Sequence, residues 1–527
     1  MTVLSPVFLC SYWFLVAHYT HMFQLNAYKP EVQLRWLVKN KGDCLRKNVL
    51  VFLVFLSLPA PSLLEPMKEN AFFLLCSLFF LAQSYFNRPR QAKKPLVYTN
   101  RVKRMLVTHG IFLAAFLFSL FRAGNPRVQA ACLAAVHLLA PVFVLLVNGA
   151  NTPIEKFINR RYTQDAKRRL RQHPGLIVIG VTGSYGKTST KFFLHKLLSV
   201  KYDVLMTPES FNTTLGVVRT VREELKPFHE VFICEMGARN VGDVAEICEI
   251  VKPRYGVLTS IGPQHIESFK SLENVVKAKF ELADALPLGD GAAFLNLNNP
   301  NIRAERAKYV GRGQNERTVT YGFSDDCDYC ARDIFTSGEG SSFSVRMPDF
   351  TEVSFETKLI GAHNVENILA AISVADFLGV GRWGIVMGVR KLESVPHRLQ
   401  LIRRGEYLLI DDAYNSNAAG AKAALDALAM FDGCKILVTP GMIELGTQES
   451  ELNEKFGTQA GEICDFVVLV GKRQTESIRK GLTNAGYSRE KIFVADDLFQ
   501  GLAKVAELDA RGKQKVVLLE NDLPDNY

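Results

Sequence analysis

No zinc site can be assembled from the cysteines of this chain. Its 527 residues hold ten, scattered along the sequence, and Cys327 and Cys330 form the one C-x-x-C pair. Two further ligands at suitable spacing are missing. The same scatter excludes a disulfide framework and fits reduced thiols in a cytoplasm. There is no aromatic-and-basic motif of the kind that stacks bases, so the net charge of +10 does not indicate a nucleic-acid partner. No basic start precedes the first apolar stretch, and more such stretches follow, so no cleavable signal peptide is expected. His18, His21, His109 and His137 lie in or beside apolar stretches without acidic partners, which argues against a proton or metal pathway.

What the chain does have is apolar residues, 48% of the total, with 35 phenylalanines, concentrated before residue 150. Beyond that point it reads as ordinary α/β protein, and the length predicts two or three domains. Five apolar stretches stand out: Thr2–Phe23, Asn48–Leu64, Ala71–Phe86, Met105–Phe121 and Gln129–Asn148. Against the ~20 residues that a spanning helix needs, the first and last fit, the middle three are short, and Pro59 and Pro61 interrupt the second.

Charge predicts their orientation. Lys29, Arg35, Lys39, Lys41, Arg46 and Lys47 crowd one connection; Arg88, Arg90, Lys93, Lys94, Arg101, Lys103 and Arg104 crowd another. Lys156, Arg160, Arg161, Lys167, Arg168, Arg169 and Arg171 follow the fifth stretch, while the alternate connections hold only Lys68, Arg122 and Arg127. The positive-inside rule then puts the N-terminus outside, and residues 150–527 in the cytoplasm beneath a multi-pass anchor in the cytoplasmic (inner) membrane.

Leu176–Val181 is a short β-branched run that reads as a buried parallel strand. Thr182-Gly-Ser-Tyr-Gly-Lys-Thr-Ser-Thr190 follows, and Lys191–Val200 has helical periodicity. Strand, glycine loop and helix are the context of a phosphate loop. Gly183 and Gly186 let backbone N–H groups face phosphate, Lys187 supplies charge, Thr188 offers Mg²⁺ a hydroxyl, and the helix adds its dipole. The pattern is T-G-x-x-G-K-T, with Val181 where the usual motif has its first glycine.

T-G-S-x-G-K-T-S, spanning Thr182, Gly183, Ser184, Gly186, Lys187, Thr188 and Ser189, resembles the loop of the Mur ligases, and further segments agree in order. These are Ser210–Gly216, Glu235–Ala238, Thr259–His265, Lys277–Glu281, Asn296–Pro300, Gly361–Asn367, His397–Gln400 and Asp411–Asn415. The resemblance covers roughly residues 174–450 and looks closest to the MurF type, which adds D-alanyl-D-alanine to a muramyl tripeptide. It implies an ATP-dependent, ADP-forming amide ligase acting through an acyl phosphate. It also implies that Glu235, His265 and Lys279, the last carbamylated by CO₂, serve two Mg²⁺ ions with Thr188. Lys187, Lys279 and His265 are the implied catalytic residues. Asn296, Asn364 and Asn367 would lie at the nucleotide, the last two sharing a helix face. Arg398 and Asp412 would close over ATP from a third domain.

Three departures accompany the resemblance. Apolar stretches stand where the family holds its UDP-sugar domain. Tyr414-Asn-Ser-Asn-Ala418 and Pro440-Gly-Met-Ile-Glu-Leu-Gly446 replace Y-N-A-N-P and G-D-M-x-E-L-G. The acidic Glu520-Asn-Asp522 replaces a K-G-S-R-like segment.

The expected organisation is a membrane anchor of about five helices (1–150), a basic juxtamembrane helix (151–171), a doubly wound α/β ATPase domain (172–395) and a smaller Rossmann-like domain (396–527). The expected partners are ATP, a peptide-bearing cell-wall carboxylate that is lipid-linked, an amino acid or dipeptide amine, and the membrane. The rival readings are a poly-γ-glutamate-type synthetase, a phosphate-loop transport ATPase and a non-catalytic scaffold.

Overall fold

The computed structural model describes residues 4–48, 69–87, 94–122, 126–310, 318–405, 407–414, 416–443 and 445–522. Most of the second apolar stretch, with Pro59 and Pro61, lies outside the described residues. So do Lys68, Arg88, Arg90, Lys93, Asn415 and Glu444. The chain divides into two compact units, Met1–Arg160 and Arg161–Asp522.

The first unit is helical. In helix Leu4–Leu25, Phe8, Tyr12, Leu15, Val16, Tyr19 and Phe23 recur at three- and four-residue spacing, so one face packs into a core with Phe80, Met105, Ala134 and Val147. The buried histidines sit in neutral hydrogen-bond networks. His137 meets Ser11 Oγ (2.9 Å) and Asn48 Oδ1 (3.0 Å), and His109 meets Tyr12 Oη (2.7 Å).

The spans differ from expectation. Among the described residues, one helix, Asn100–Leu120, is long and apolar enough to cross a membrane. The fifth stretch is broken: Val128–Leu138 and Ala140–Arg171 meet at 71°. Pro141 stands in the first turn of the second helix, where its missing N–H costs nothing, and it cannot continue the preceding helix. The basic connection at 24–47 folds into helices Pro30–Lys39 and Lys41–Arg46. Arg101, Lys103 and Arg104 lie inside a helix, where Arg104 grips Glu155 through two bonds of 2.7 and 2.8 Å.

The expected boundary at residue 150 falls inside helix Ala140–Arg171. Its last turns belong to the second unit, where Ala166 is buried in the core and Asp165 pairs with Arg222 (3.0 Å). Lys167 pairs with Glu249 at 2.9 Å, and Arg168 and Arg169 also reach Asp165, so these cations are engaged by the protein rather than left free for a leaflet.

The second unit carries two sheets. The larger has the order β2-β3-β1-β4-β5-β6-β7-β8-β9. Its strands are β1 Ile177–Thr182, β2 Val204–Met206, β3 Val231–Met236, β4 Tyr255–Leu258, β5 Ala292–Asn296, β6 Thr318–Gly322, β7 Tyr329–Ser337, β8 Gly340–Arg346 and β9 Glu352–Thr357. Pairing is parallel as far as β7, then antiparallel. The sheet is therefore mixed, where purely parallel strands were expected. Gly338 and Glu339 alone join β7 to β8, too short a link for a crossover.

The second sheet, β10-β11-β15-β12-β13-β14, is parallel apart from its edge strand β10. Its strands are β10 Gln400–Arg404, β11 Tyr407–Asp412, β12 Cys434–Thr439, β13 Phe466–Val470, β14 Ile492–Ala495 and β15 Lys515–Glu520.

Candidate active site

The phosphate loop leaves β1 between β3 and β4, the switch point where open α/β sheets hold their ligands. The helix begins earlier than expected, at Lys187 itself, and runs to Leu198. Both glycines are obligatory. A Cβ on Gly183 (φ 156°) would lie 2.1 Å from Thr259 Oγ1, and one on Gly186 (φ 84°) 2.5 Å from Asn367 Oδ1. Thr182 Oγ1 donates to Met236 O (2.8 Å), tying β1 to the end of β3. Ser184 is pinned to the turn after β4: its N–H donates to Ser260 O (2.8 Å) and its hydroxyl to Gly262 O (3.1 Å). Ser189 is buried in the first turn of the helix. Lys187 folds back over the loop, donating to Gly183 O (2.6 Å) and Ser184 O (3.0 Å). Burial lowers its pKa to about 8, with Glu235 opposing and Arg398 adding to the fall.

Glu235 lies within β3, one residue inside the strand end, beside Val181 of β1. Its carboxylate is 1% exposed. One oxygen accepts from Thr188 Oγ1 (3.2 Å) and Asn212 Nδ2 (3.0 Å). The other, Oε2, has no hydrogen-bond partner, although Lys191 Nζ stands 3.1 Å away as a counter-charge. A buried carboxylate beside a phosphate-loop hydroxyl suits a hard cation that takes few protein oxygens.

Helix Leu272–Asp284 carries both candidate lysines. Lys277 is exposed, whereas Lys279 is 3% exposed. Burial holds Lys279 well below the usual lysine range; the charge of Lys187 adds to this, and Asp243, Glu281 and Glu235 oppose it. His265 stands in a left-handed turn (φ 54°) ahead of the short helix Ile266–Phe269. Among the described residues no group of three or more His, Cys, Asp or Glu side chains is placed to hold a metal ion.

The asparagines at the nucleotide end divide their roles. Asn296 donates to Thr259 O (2.8 Å) and to Glu366 Oε2 (3.2 Å), bracing the turn behind the loop. Asn364 and Asn367 share helix Ala362–Phe377 but make separate contacts. Asn364 donates to Ile360 O (2.9 Å), while Asn367 accepts from Thr190 Oγ1 (3.2 Å) beneath Gly186. Asn364 Oδ1 and Asn367 Nδ2 are not used in these two bonds.

The second sheet supplies Arg398 and Asp412. The Arg398 guanidinium lies 4.4 Å over the Tyr414 ring. Asp412, which accepts from Leu399 N (3.2 Å), is raised to about 6 by burial, with Arg398 pulling the other way. Glu520, at the end of β15, is buried between the hydroxyls of Ser416 and Thr439. Residues that sequence reading passed over are Lys191, Asn212 and Glu366. Asn212 and Glu366 sit inside recognised segments, but Lys191 had no signal beyond being one more lysine on a helix.

A phosphate loop at a switch point, faced by charges from a second parallel sheet, defines a nucleotide-dependent enzyme of the phosphate-loop class. Residues 181–375 match the Mur ligase middle domain and residues 397–520 the Mur ligase glutamate ligase domain. The UDP-N-acetylmuramoyl-tripeptide–D-alanyl-D-alanine ligase of Bacillus subtilis is 31% identical over 337 residues, 62% of this chain and 68% of that protein. Its Escherichia coli counterpart is 32% identical over 309 residues, 58% and 66% of the two chains. The chain therefore spans about two thirds of the length of these relatives. The structure of MurF from Acinetobacter baumannii matches with a TM-score of 0.62 at 26% identity, covering 69% of this chain and 77% of that one. The MurF ligase of Thermotoga maritima in complex with ADP matches with a TM-score of 0.60 at 25% identity, covering 69% and 80%. The chain belongs to the Mur ligase family, whose members are ATP-dependent, ADP-forming ligases. The transport, scaffold and poly-γ-glutamate readings are left without support.

Proposed function

We propose that the protein forms an amide bond on a peptidoglycan precursor at the expense of ATP. The acceptor is the terminal carboxylate of a UDP-N-acetylmuramoyl-peptide or its lipid-linked form; the amine is an amino acid or dipeptide, D-alanyl-D-alanine in the named relatives. A carboxylate oxygen attacks the γ-phosphorus as the bond to ADP breaks. The amine nitrogen then attacks the acyl carbon, the carbon–oxygen bond to phosphate breaks, and the nitrogen loses a proton. Lys187 and the loop N–H groups hold phosphate charge, which is most of what phosphoryl transfer asks of a protein. Arg398 and Tyr414 close the site from the second sheet and exclude water from the acyl phosphate.

Mg²⁺ would be held by Glu235 and Thr188, with His265 and Lys279 as further ligands, and supplies neutralisation of the phosphates. The observation that carries the reading is the buried Glu235 carboxylate, bonded to Thr188 Oγ1 beside the phosphate loop, with Lys191 as the counter-charge on its Oε2. The depressed pKa of Lys279 supports its carbamylation: the neutral amine adds to the carbon of CO₂, releases a proton and becomes an anion. The test is ADP release by the full-length protein with UDP-linked and lipid-linked acceptors and a panel of amines, with the products weighed by mass spectrometry. ADP release that ignores both acceptor and amine would sink the ligase reading.

The apolar unit is proposed to anchor the ligase in the cytoplasmic membrane, with the catalytic unit in the cytoplasm. Helix Asn100–Leu120 and the charge asymmetry of the connections support this. Confinement to a bilayer raises the effective concentration of a lipid-linked acceptor. A cysteine placed at Arg122 should react with an impermeant reagent in intact cells, and one at Lys94 should not; the reverse pattern removes the proposal.

A further inference from the structure

Lys191 sits inside the site, although its position, one helical turn past Lys187, suggests only a solvated lysine. Its side chain is 0% exposed. Its ammonium forms an ion pair with Glu235 Oε2 at 3.1 Å, and it donates to the backbone carbonyl of Glu209. Glu209 is itself left-handed (φ 41°) and opens the segment bearing Ser210 and Asn212. Asn212 reaches the other Glu235 oxygen, so the loop and Lys191 hold the carboxylate from two sides.

A buried ion pair is weak evidence for stability, because desolvating both charges offsets their attraction unless the remaining polar atoms are satisfied. Here the carboxylate oxygen facing the lysine has, beyond that ammonium, no further hydrogen-bond donor among the described residues. Lys191 meets it as a counter-charge at 3.1 Å, and a divalent cation approaching the same oxygen meets that charge.

We infer that Lys191 is a resident counter-ion of Glu235: it holds the carboxylate aimed while no metal is present, and it weakens metal binding so that the ion is retained only when nucleotide phosphates add their negative charge. Lys191 is thus a positioning residue for the metal. This rests on the proposal that Glu235 holds a divalent cation.

The test uses Mn²⁺ as probe on the nucleotide-free, full-length protein, with free ion counted by electron paramagnetic resonance. Lys191→Met should bind Mn²⁺ about tenfold more tightly than wild type, and the gain in affinity on adding ADP should shrink. Lys191→Gln should behave likewise and serves as the second variant should the Met variant fail to fold, as judged by circular dichroism. Mn²⁺ binding by a folded neutral variant that equals or falls below wild type overturns the inference. Glu235→Gln separates the two failures: undiminished Mn²⁺ binding there overturns the metal reading itself, and the counter-ion role with it.

Discussion

The Tyr414 hydroxyl donates to Ser210 Oγ at 2.5 Å, joining the loop after β11 to the segment that carries Asn212. The same tyrosine ring lies under the Arg398 guanidinium. One side chain thus ties the second sheet's cation to the loop that supports Glu235. Tyr414→Phe keeps the ring and deletes the bond, a net loss of about 1 kcal/mol, or roughly fivefold. We expect kcat/KM for ATP to fall by about that factor with little change in melting temperature. Tyr414→Ala, which also frees Arg398, should cost more. Equal activity in all three proteins would mean that the contact does not take part in closure.

Lys187→Ala should lower ADP formation by on the order of a hundredfold, the size expected when one fixed stabiliser of developing charge is removed. The fold should survive, because Lys187 Nζ bonds only carbonyls of its own loop. Gly186→Ala is the structural counterpart. It forces a left-handed alanine, at about 1–2 kcal/mol, and pushes a methyl to 2.5 Å from Asn367 Oδ1. That variant should lose both nucleotide binding and melting temperature. Nucleotide affinity and melting curves, measured together, distinguish the two.

What could be read in the sequence follows from what local pattern encodes. β1, the phosphate loop and its helix were legible because apolar run, glycines and periodicity are all local. The choice of Lys279 over Lys277 needed the recognised motif; that Lys279 is the buried one of the two shows only in the folded helix. The pairing of Lys191 with Glu235 was invisible, since the two residues meet only when β3 lies beside β1. The division of labour between Asn364 and Asn367 was invisible too. Helical spacing says which face they share, but not that the carbonyl of Ile360 claims one of them. Composition marked Gln129–Asn148 as one apolar stretch, but did not show that it belongs to a pair of helices meeting at 71°.

If Lys279 carries the proposed carbamate, Lys279→Ala should be nearly inactive, and bicarbonate or short carboxylic acids should restore part of the activity by supplying an anion in its place. Lys277→Ala, on the exposed side of the helix, should be close to wild type. The comparison is of ADP release across added acid. Equal loss at both positions without rescue would place the metal-side anion elsewhere.

Glu520 yields a prediction about pH. It is buried at the end of β15, and desolvation raises its pKa to about 7, with Asp412 adding to the rise and the Ser416 and Thr439 hydroxyls opposing it. An acid whose folded pKa lies above its unfolded value of 4.5 favours the fold most when protonated in both states. As pH rises past 4.5 the unfolded chain ionises first, and the penalty on folding grows until about pH 7, where it levels off. The shift corresponds to roughly 3 kcal/mol at most, and part of it belongs to Asp412, which titrates alongside. Glu520→Gln cannot ionise and keeps an oxygen for the Thr439 hydroxyl, which lies 3.0 Å from the carboxylate. Its melting temperature should therefore exceed that of wild type at pH 8 and match or fall slightly below it at pH 5. A variant less stable than wild type at pH 8 than at pH 5 would show that the carboxylate is ionised in the fold and paired with a cation, reversing the sign of its contribution.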